Sequence, residues 1–165
     1  MKRLILVRHS KTEHTFGVTD FERSLTKRGK SDAEIVAEQL KSKDIIPDYF
    51  ICSKARRAQQ TNSIFAETLN FPNEKINIQQ FLYDGYTTSD FLNFISTIDN
   101  EYSTIIVFAH NPEIATLASH LSDEDFYHFP TTATAVIDFD SDKWDRISAR
   151  EGKVNLFLYP RIFKD

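Results

Sequence analysis

An α/β fold with a mostly parallel sheet, covered by helices on both faces, is what this 165-residue sequence predicts. Short apolar runs of strand length alternate with stretches whose apolar residues recur at helical spacing, and strands separated by helices imply parallel pairing. Two of the clearest runs stop abruptly at a histidine, as buried strands do when they reach the edge of a sheet. No composition break, repeat or low-complexity segment divides the chain, so one domain spanning residues 1–165 is expected.

Taken in order, Leu4–Val7 is a buried strand ending at Arg8-His9-Ser10. Thr26 is placed to cap a helix running to about Leu40, with Ile35, Val36 and Leu40 on its apolar stripe. Pro47 precedes a second short strand, Tyr49–Cys52, and Ser53 is placed to cap the next helix, which shows Ala58, Thr61, Ile64, Phe65 and Leu69 on one face. Ile76–Phe81 alternates weakly and suits an edge or short central strand. Asp90–Ile98 has helical spacing through Phe91, Phe94, Ile95 and Ile98. Thr104–Ala109 is the clearest strand and stops at His110; Pro112 suits the first turn of a helix to about Leu121. Ala133–Phe139 and Val154–Tyr159 complete the strands.

Composition closes several functional classes. The 4 glycines, Gly17, Gly29, Gly85 and Gly152, are scattered, so neither G-x-G-x-x-G nor G-x-x-x-x-G-K-[ST] can be drawn through them. A phosphate-handling chain of this kind would hold its ligand with side chains. Cys52 is the only cysteine, which excludes an intrachain disulfide and a cysteine-based zinc site and fits a reducing compartment. The net charge of −4 argues against nucleic-acid binding. The first apolar run is too short for a signal peptide, and none approaches the ~20 residues of a membrane span. A cytoplasmic location, away from the membrane, is therefore expected.

In open α/β sheets ligands bind beyond the carboxyl ends of the strands. Three polar clusters fall there: Arg8-His9 after the first strand, Ser53 to Arg57 after the second, and Ala109-His110-Asn111 after the fourth. Arginine offers a planar fork of donors for phosphate oxygens, and a neutral imidazole is a nucleophile. An Arg-His pair also arises by chance, and a lone histidine at a strand end is ordinarily structural. Three matched strand ends are harder to explain that way.

These residues resemble the histidine phosphatase superfamily, and within it the short phosphohistidine phosphatases of the SixA type. Leu6-Val7-Arg8-His9 resembles the strand-terminal R-H-G signature, and Asp20-x-x-Arg23-x-Leu25-Thr26-x-x-Gly29 a segment of the short branch. Ser53-x-x-x-Arg57-Ala58-x-Gln60-Thr61 matches the second-strand motif in register, and Ala109-His110-Asn111-Pro112 resembles G-H-N-P. The resemblance covers nearly the whole chain and implies a phosphoglycerate mutase-like, three-layer α/β/α sandwich. It implies His9 as nucleophile, forming a phosphohistidine intermediate, with Arg8, Arg57 and His110 completing the phosphate pocket and neither metal nor cofactor required. Two flanking arginines would repel a cation from His9 and His110. Alignment on Ala58, Gln60 and Thr61 selects Arg57 over Arg56, which is then a helix-surface residue.

Three departures from the family pattern bear on the site. Ser10 stands where the signature has glycine, either adding a hydrogen bond to substrate or crowding the pocket. Ala109 replaces a second glycine. The carboxylate that protonates an alcohol leaving group in larger members has no clear counterpart; Asp84, in Asp84-Gly85, is the nearest candidate, although such a pair is more often a turn. Asp20 and Arg23 either line the pocket mouth and bind substrate or pair with each other. The segment between Arg57 and His110 leaves no room for a large lid, so an open pocket is expected, suited to phosphate on a protein surface. Phosphohistidine, which demands less general acid than an ester, is the preferred substrate. A small-molecule phosphoester phosphatase and a non-catalytic phosphate-binding module are the alternatives; a mutase fits poorly, because the chain is short and the acid segment missing.

Overall fold

Two hydrophobic periods alternate along the chain, and the computed structural model, which describes residues 1–164, turns them into strands and helices in the expected order, with one short unexpected helix at Phe81–Asp84. The elements are β1 (Lys2–Arg8), α1 (Lys27–Ser42), β2 (Tyr49–Ser53), α2 (Arg56–Thr68), β3 (Asn77–Gln79), α3 (Phe81–Asp84), α4 (Thr88–Ile95), β4 (Thr104–Ala109), α5 (Glu113–Leu121), β5 (Thr134–Phe139) and β6 (Lys153–Leu158). Asp165, included in the domain expected from sequence, lies outside the described residues.

The sheet has the order β3-β2-β4-β1-β5-β6. The first four strands in that order are mutually parallel, and β5 runs antiparallel to both β1 and β6. The middles of its central strands, residues 4–7 of β1 and 105–109 of β4, are apolar throughout because both faces are covered. Leu4, Leu6, Ile105 and Val107 pack with Phe91 and Ile95 of α4 and Leu117 and Leu121 of α5. Ile5, Val7, Ile106 and Phe108 point the other way, to Val36 and Leu40 of α1 and Phe65 of α2. Each such fully buried side chain contributes roughly 1.5–3 kcal/mol relative to exposure. The result is the three-layer α/β/α sandwich.

Local chemistry sets the boundaries, and some differ from expectation. Thr26 caps α1, its hydroxyl accepting the Gly29 N–H at 2.9 Å. Ser53 does not cap α2: it is the last residue of β2, and the N-cap is Ala55, which has no side-chain cap. β3 is an edge strand of three residues, because Gln80 has already turned to helical backbone and Phe81 opens α3. The fourth helix starts earlier than Asp90, which is the N3 partner of Thr87 in a reciprocal capping box, and it ends at Ile95. Pro112 is the N-cap of α5 and precedes its first turn.

Candidate active site

Strand register makes the site. Arg8 of β1 pairs with Ala109 of β4, and Cys52 of β2 with Phe108, so the three strands end level. The residues that follow, His9, His110 and the Ser53–Arg57 turn, therefore emerge at one edge of the sheet. The His9 and His110 rings lie 5.2 Å apart between centroids, and each residue is only 7% exposed.

The hydrogen bonds of His9 fix its tautomer. Its Nδ1 is 2.8 Å from the Ser10 carbonyl, which can only accept, so Nδ1 carries the proton and Nε2 keeps its lone pair. Burial, and then the nearby His110, Arg57 and Arg8, push its pKa down to about 3 against the pull of that carbonyl. His110 is pushed down to about 4, by burial first and by Arg57 and Arg8, with Asp20 opposing. Its Nε2 is 2.7 Å from the Ser53 hydroxyl, while its Nδ1 is buried without a protein partner. Both rings are thus neutral near pH 7.

Each of the two arginines is held by protein acceptors. Arg8 Nη1 donates to the Phe129 carbonyl at 3.1 Å, and the same carbonyl accepts from Asn111 Nδ2 at 2.9 Å. Arg57 donates through Nη1 and Nη2 to the carbonyl and carboxylate of Asp20, at 2.6 and 3.1 Å. The Nε atoms of Arg8 and Arg57 are buried without protein partners. Burial and the charge of Arg57 lower the pKa of Arg8, the signature of two cations held close together.

The other expected site residues divide. Asp20 and Arg23 stand at the mouth and pair with each other at 3.0 Å, and Asp20 also reaches Arg57. Ser10 is fully buried, and its hydroxyl pairs with Thr132 Oγ1 at 2.7 Å. Asp84 is exposed, and its carboxylate takes the Gln80 amide at 2.9 Å, which leaves it outside the group around His9. Arg56 is exposed beside Ser24, whereas Arg57 is 5% exposed.

Sequence reasoning missed Tyr83, Phe129 and Thr132. Tyr83 donates its hydroxyl to Asp20 Oδ2 at 2.8 Å and sets its ring edge-on to His110, 5.7 Å between centroids. Tyr83 immediately precedes Asp84, the candidate acid, and that adjacency is the one sequence signal pointing to it. Nothing local in the sequence marks Phe129, which acts through its backbone carbonyl, or Thr132, which acts through its backbone N–H and its hydroxyl.

Comparison with known proteins fits this geometry. The model of the histidine phosphatase superfamily (branch 1) matches residues 4–80. An uncharacterised chloroplastic protein of Arabidopsis thaliana is 29% identical over 92% of this chain and 72% of its own length. The mitochondrial serine/threonine-protein phosphatase Pgam5 of Drosophila melanogaster is 33% identical over 51% of this chain, a stretch that is 29% of that relative. Among solved structures, the protein histidine phosphatase SixA in complex with tungstate superposes with a TM-score of 0.84 at 22% identity, covering 98% of this chain and 99% of that one. A candidate SixA from Agrobacterium tumefaciens gives 0.81 at 25% identity, covering 96% and 98%. A mycobacterial glucosyl-3-phosphoglycerate phosphatase gives 0.69 at 15%, covering 94% and 97%. Among the described residues no helix is long and apolar enough to cross a membrane.

Proposed function

We propose that the chain is a histidine phosphatase, of the superfamily whose branch 1 model matches residues 4–80, and that it hydrolyses phosphohistidine on a protein, with His9 as nucleophile. The observation that carries this reading is a neutral His9 with a free Nε2 lone pair beside two arginines whose Nε–H groups have no protein partner.

In the first step the Nε2 lone pair of His9 attacks phosphorus, and the bond from phosphorus to the substrate imidazole breaks. The electron pair goes to an imidazole that already carries a proton, so the leaving group departs neutral. In the second step a water oxygen attacks phosphorus, the bond to Nε2 breaks, and inorganic phosphate leaves with a water proton released to phosphate or solvent. Arg8 and Arg57 face charge gathering on the equatorial oxygens, where fixed cations in a buried site act most strongly. A Ser53 hydroxyl donated to His110 Nε2 leaves the proton on Nδ1 as a further donor. Burial keeps His9 neutral at a pH where a solvent-exposed imidazole protonates, so nucleophile and leaving group take opposite charge states together. None of these steps calls for a metal or a cofactor.

The missing acid favours a phosphoramidate over an ester. Asp84 is turned to Gln80, and Asp20 is held ionised at about 2. Partial burial of Asp20 works to raise its value, but hydrogen bonds from Tyr83 and Arg57, the Arg57 charge and Arg23 outweigh it. An ionised carboxylate has no proton for an alkoxide. The Ser10 hydroxyl is taken up by Thr132 rather than by His9 Nε2, against a purely binding role. Phosphoenzyme trapping tests the proposal: wild type is expected to take up label from a phosphohistidine peptide as an acid-labile, alkali-stable adduct. His9→Ala should lose label and turnover by at least ~1,000-fold, as removal of a nucleophile does. Full activity in His9→Ala would overturn the mechanism.

A further inference from the structure

Asp20 is engaged at every acceptor it has. Oδ1 accepts from Arg23 Nε at 3.3 Å and Nη2 at 3.0 Å; Oδ2 accepts from Arg57 Nη2 at 3.1 Å and from the Tyr83 hydroxyl at 2.8 Å. The backbone carbonyl accepts from Arg57 Nη1 at 2.6 Å. A carboxylate offers about four lone-pair sites, so this one is saturated although its side chain is 57% exposed. An exposed carboxylate that binds one partner is ordinary; one that joins α2, α3 and its own loop through four hydrogen bonds is a built joint.

The bonds also show which part of Arg57 is used up. A guanidinium has an end edge, Nη1 with Nη2, and a side edge, Nε with Nη2. Asp20 holds the end edge through two different atoms, and the buried Nε–H is left without a protein partner. Arg8 follows the same pattern, with Nη1 on the Phe129 carbonyl and Nε unpartnered. Through Tyr83 the same carboxylate also steadies His110: the Tyr83 ring lies edge-on to the imidazole and 5.8 Å from the Arg57 guanidinium.

We infer that Asp20 is a positioning residue, which takes the end edge of Arg57 and the hydroxyl of Tyr83 so that the side edge of the guanidinium meets the phosphoryl oxygens beside His9. The inference rests on the phosphate-site reading above and goes beyond it, since Asp20 then neither binds substrate nor supplies a proton. Its sign is distinctive. A carboxylate beside an anion site opposes phosphate by charge alone, so its removal would tighten binding if charge were its only role; removal of a positioning carboxylate weakens binding.

Calorimetric titration of inorganic phosphate into wild type, Asp20→Ala and Asp20→Asn reads that sign without requiring turnover. Asp20→Ala is expected to bind phosphate about tenfold more weakly, the worth of one charge-assisted hydrogen bond. Asp20→Asn should fall between, because its amide oxygen keeps an acceptor for one of the donors, and it carries the test if the alanine variant unfolds. Across aryl phosphates of differing leaving-group pKa, kcat/KM should drop by one common factor. Unchanged or tighter phosphate binding in both variants overturns the inference. So does a loss that grows with leaving-group pKa, which would make Asp20 an acid. A wild type that binds no phosphate would instead overturn the phosphate-site reading, and the positioning role with it.

Discussion

Ser10 carries a side chain where the family signature has none, and the direction of that side chain decides its effect. Its hydroxyl is bonded to Thr132, and its N–H donates to Thr61 Oγ1 at 2.9 Å, which in turn donates to the Arg57 carbonyl at 2.8 Å. The end of β1 is thereby joined to α2 behind the site. Thr132 holds a left-handed backbone, with φ of 64°, a region where β-branched residues are rare. Such a conformation costs about 1–3 kcal/mol. Its N–H spans the carbonyls of Arg8 and His9 at 3.0 and 3.1 Å, and these bonds together with the hydroxyl pair offset that cost. Ser10→Gly, which restores the family residue, should therefore lower unfolding stability by about 1–2 kcal/mol, since it orphans the buried Thr132 hydroxyl. Its affinity for inorganic phosphate should stay at the wild-type value. Urea denaturation beside phosphate titration checks this; lost affinity with unchanged stability would mean that the hydroxyl serves the ligand after all.

At the scale of elements, the loop after β1 is shaped by the helix that follows it. Thr26 N–H donates to the Lys11 carbonyl at 2.9 Å, Thr12 bridges to Leu25, and the Leu25 N–H donates to Gln60 Oε1 at 2.7 Å. The first turn of α1 comes so near that a Cβ on Gly29 would run into the Lys11 carbonyl oxygen. Alanine is the better helix former by about 1 kcal/mol, so α1 alone would gain from Gly29→Ala. The collision predicts the reverse: a loss of about 1–3 kcal/mol, as for overpacking, together with weaker phosphate binding as the loop bearing Asp20 shifts. A stabilised variant with intact binding would show that the loop yields freely. This explains how far the sequence could be read. The continuous apolar runs of β1 and β4, the Thr26 cap, the Arg8, His9 and His110 positions at strand ends and Arg57 in the first turn of α2 are local patterns, and they were legible. The Asp20–Tyr83 bond joins a loop to α3 across the mouth of the site, with no period to announce it. The antiparallel direction of β5 leaves no mark either, since a strand buried on both faces has the same composition in either direction. Ser53 looked like a cap because its type suits one, but the turn to α2 starts two residues later and frees it for His110.

For the whole molecule, the site carries a cost that appears as acid sensitivity. His9 and His110 are held at about 3 and about 4, whereas in the unfolded chain each titrates near the ordinary value of 6.5. Between those limits the unfolded state binds more protons than the folded one, so folding stability rises with pH across the window and is fully present above about 6.5. On acidification it is lost progressively, through about 4 for His110 and about 3 for His9. Each pKa unit corresponds to about 1.4 kcal/mol, a large amount against the ~5–15 kcal/mol that holds a typical domain together. Asp20 is held at about 2, so the stability it contributes is fully present above the carboxylate value of 3.8 and is lost only as pH falls from there through about 2. The unfolding free energy measured in urea should therefore climb between pH 4 and pH 6.5 with a slope of up to two protons, one for each of His9 and His110. His9→Gln should remove about one proton of that slope and flatten the acid limb. A wild-type profile that is level across this range would mean that the two rings are not kept neutral by the fold. The neutrality that suits His9 to the proposed nucleophilic role near neutral pH and the acid lability expected of the fold have one physical source, two imidazoles buried beside two arginines.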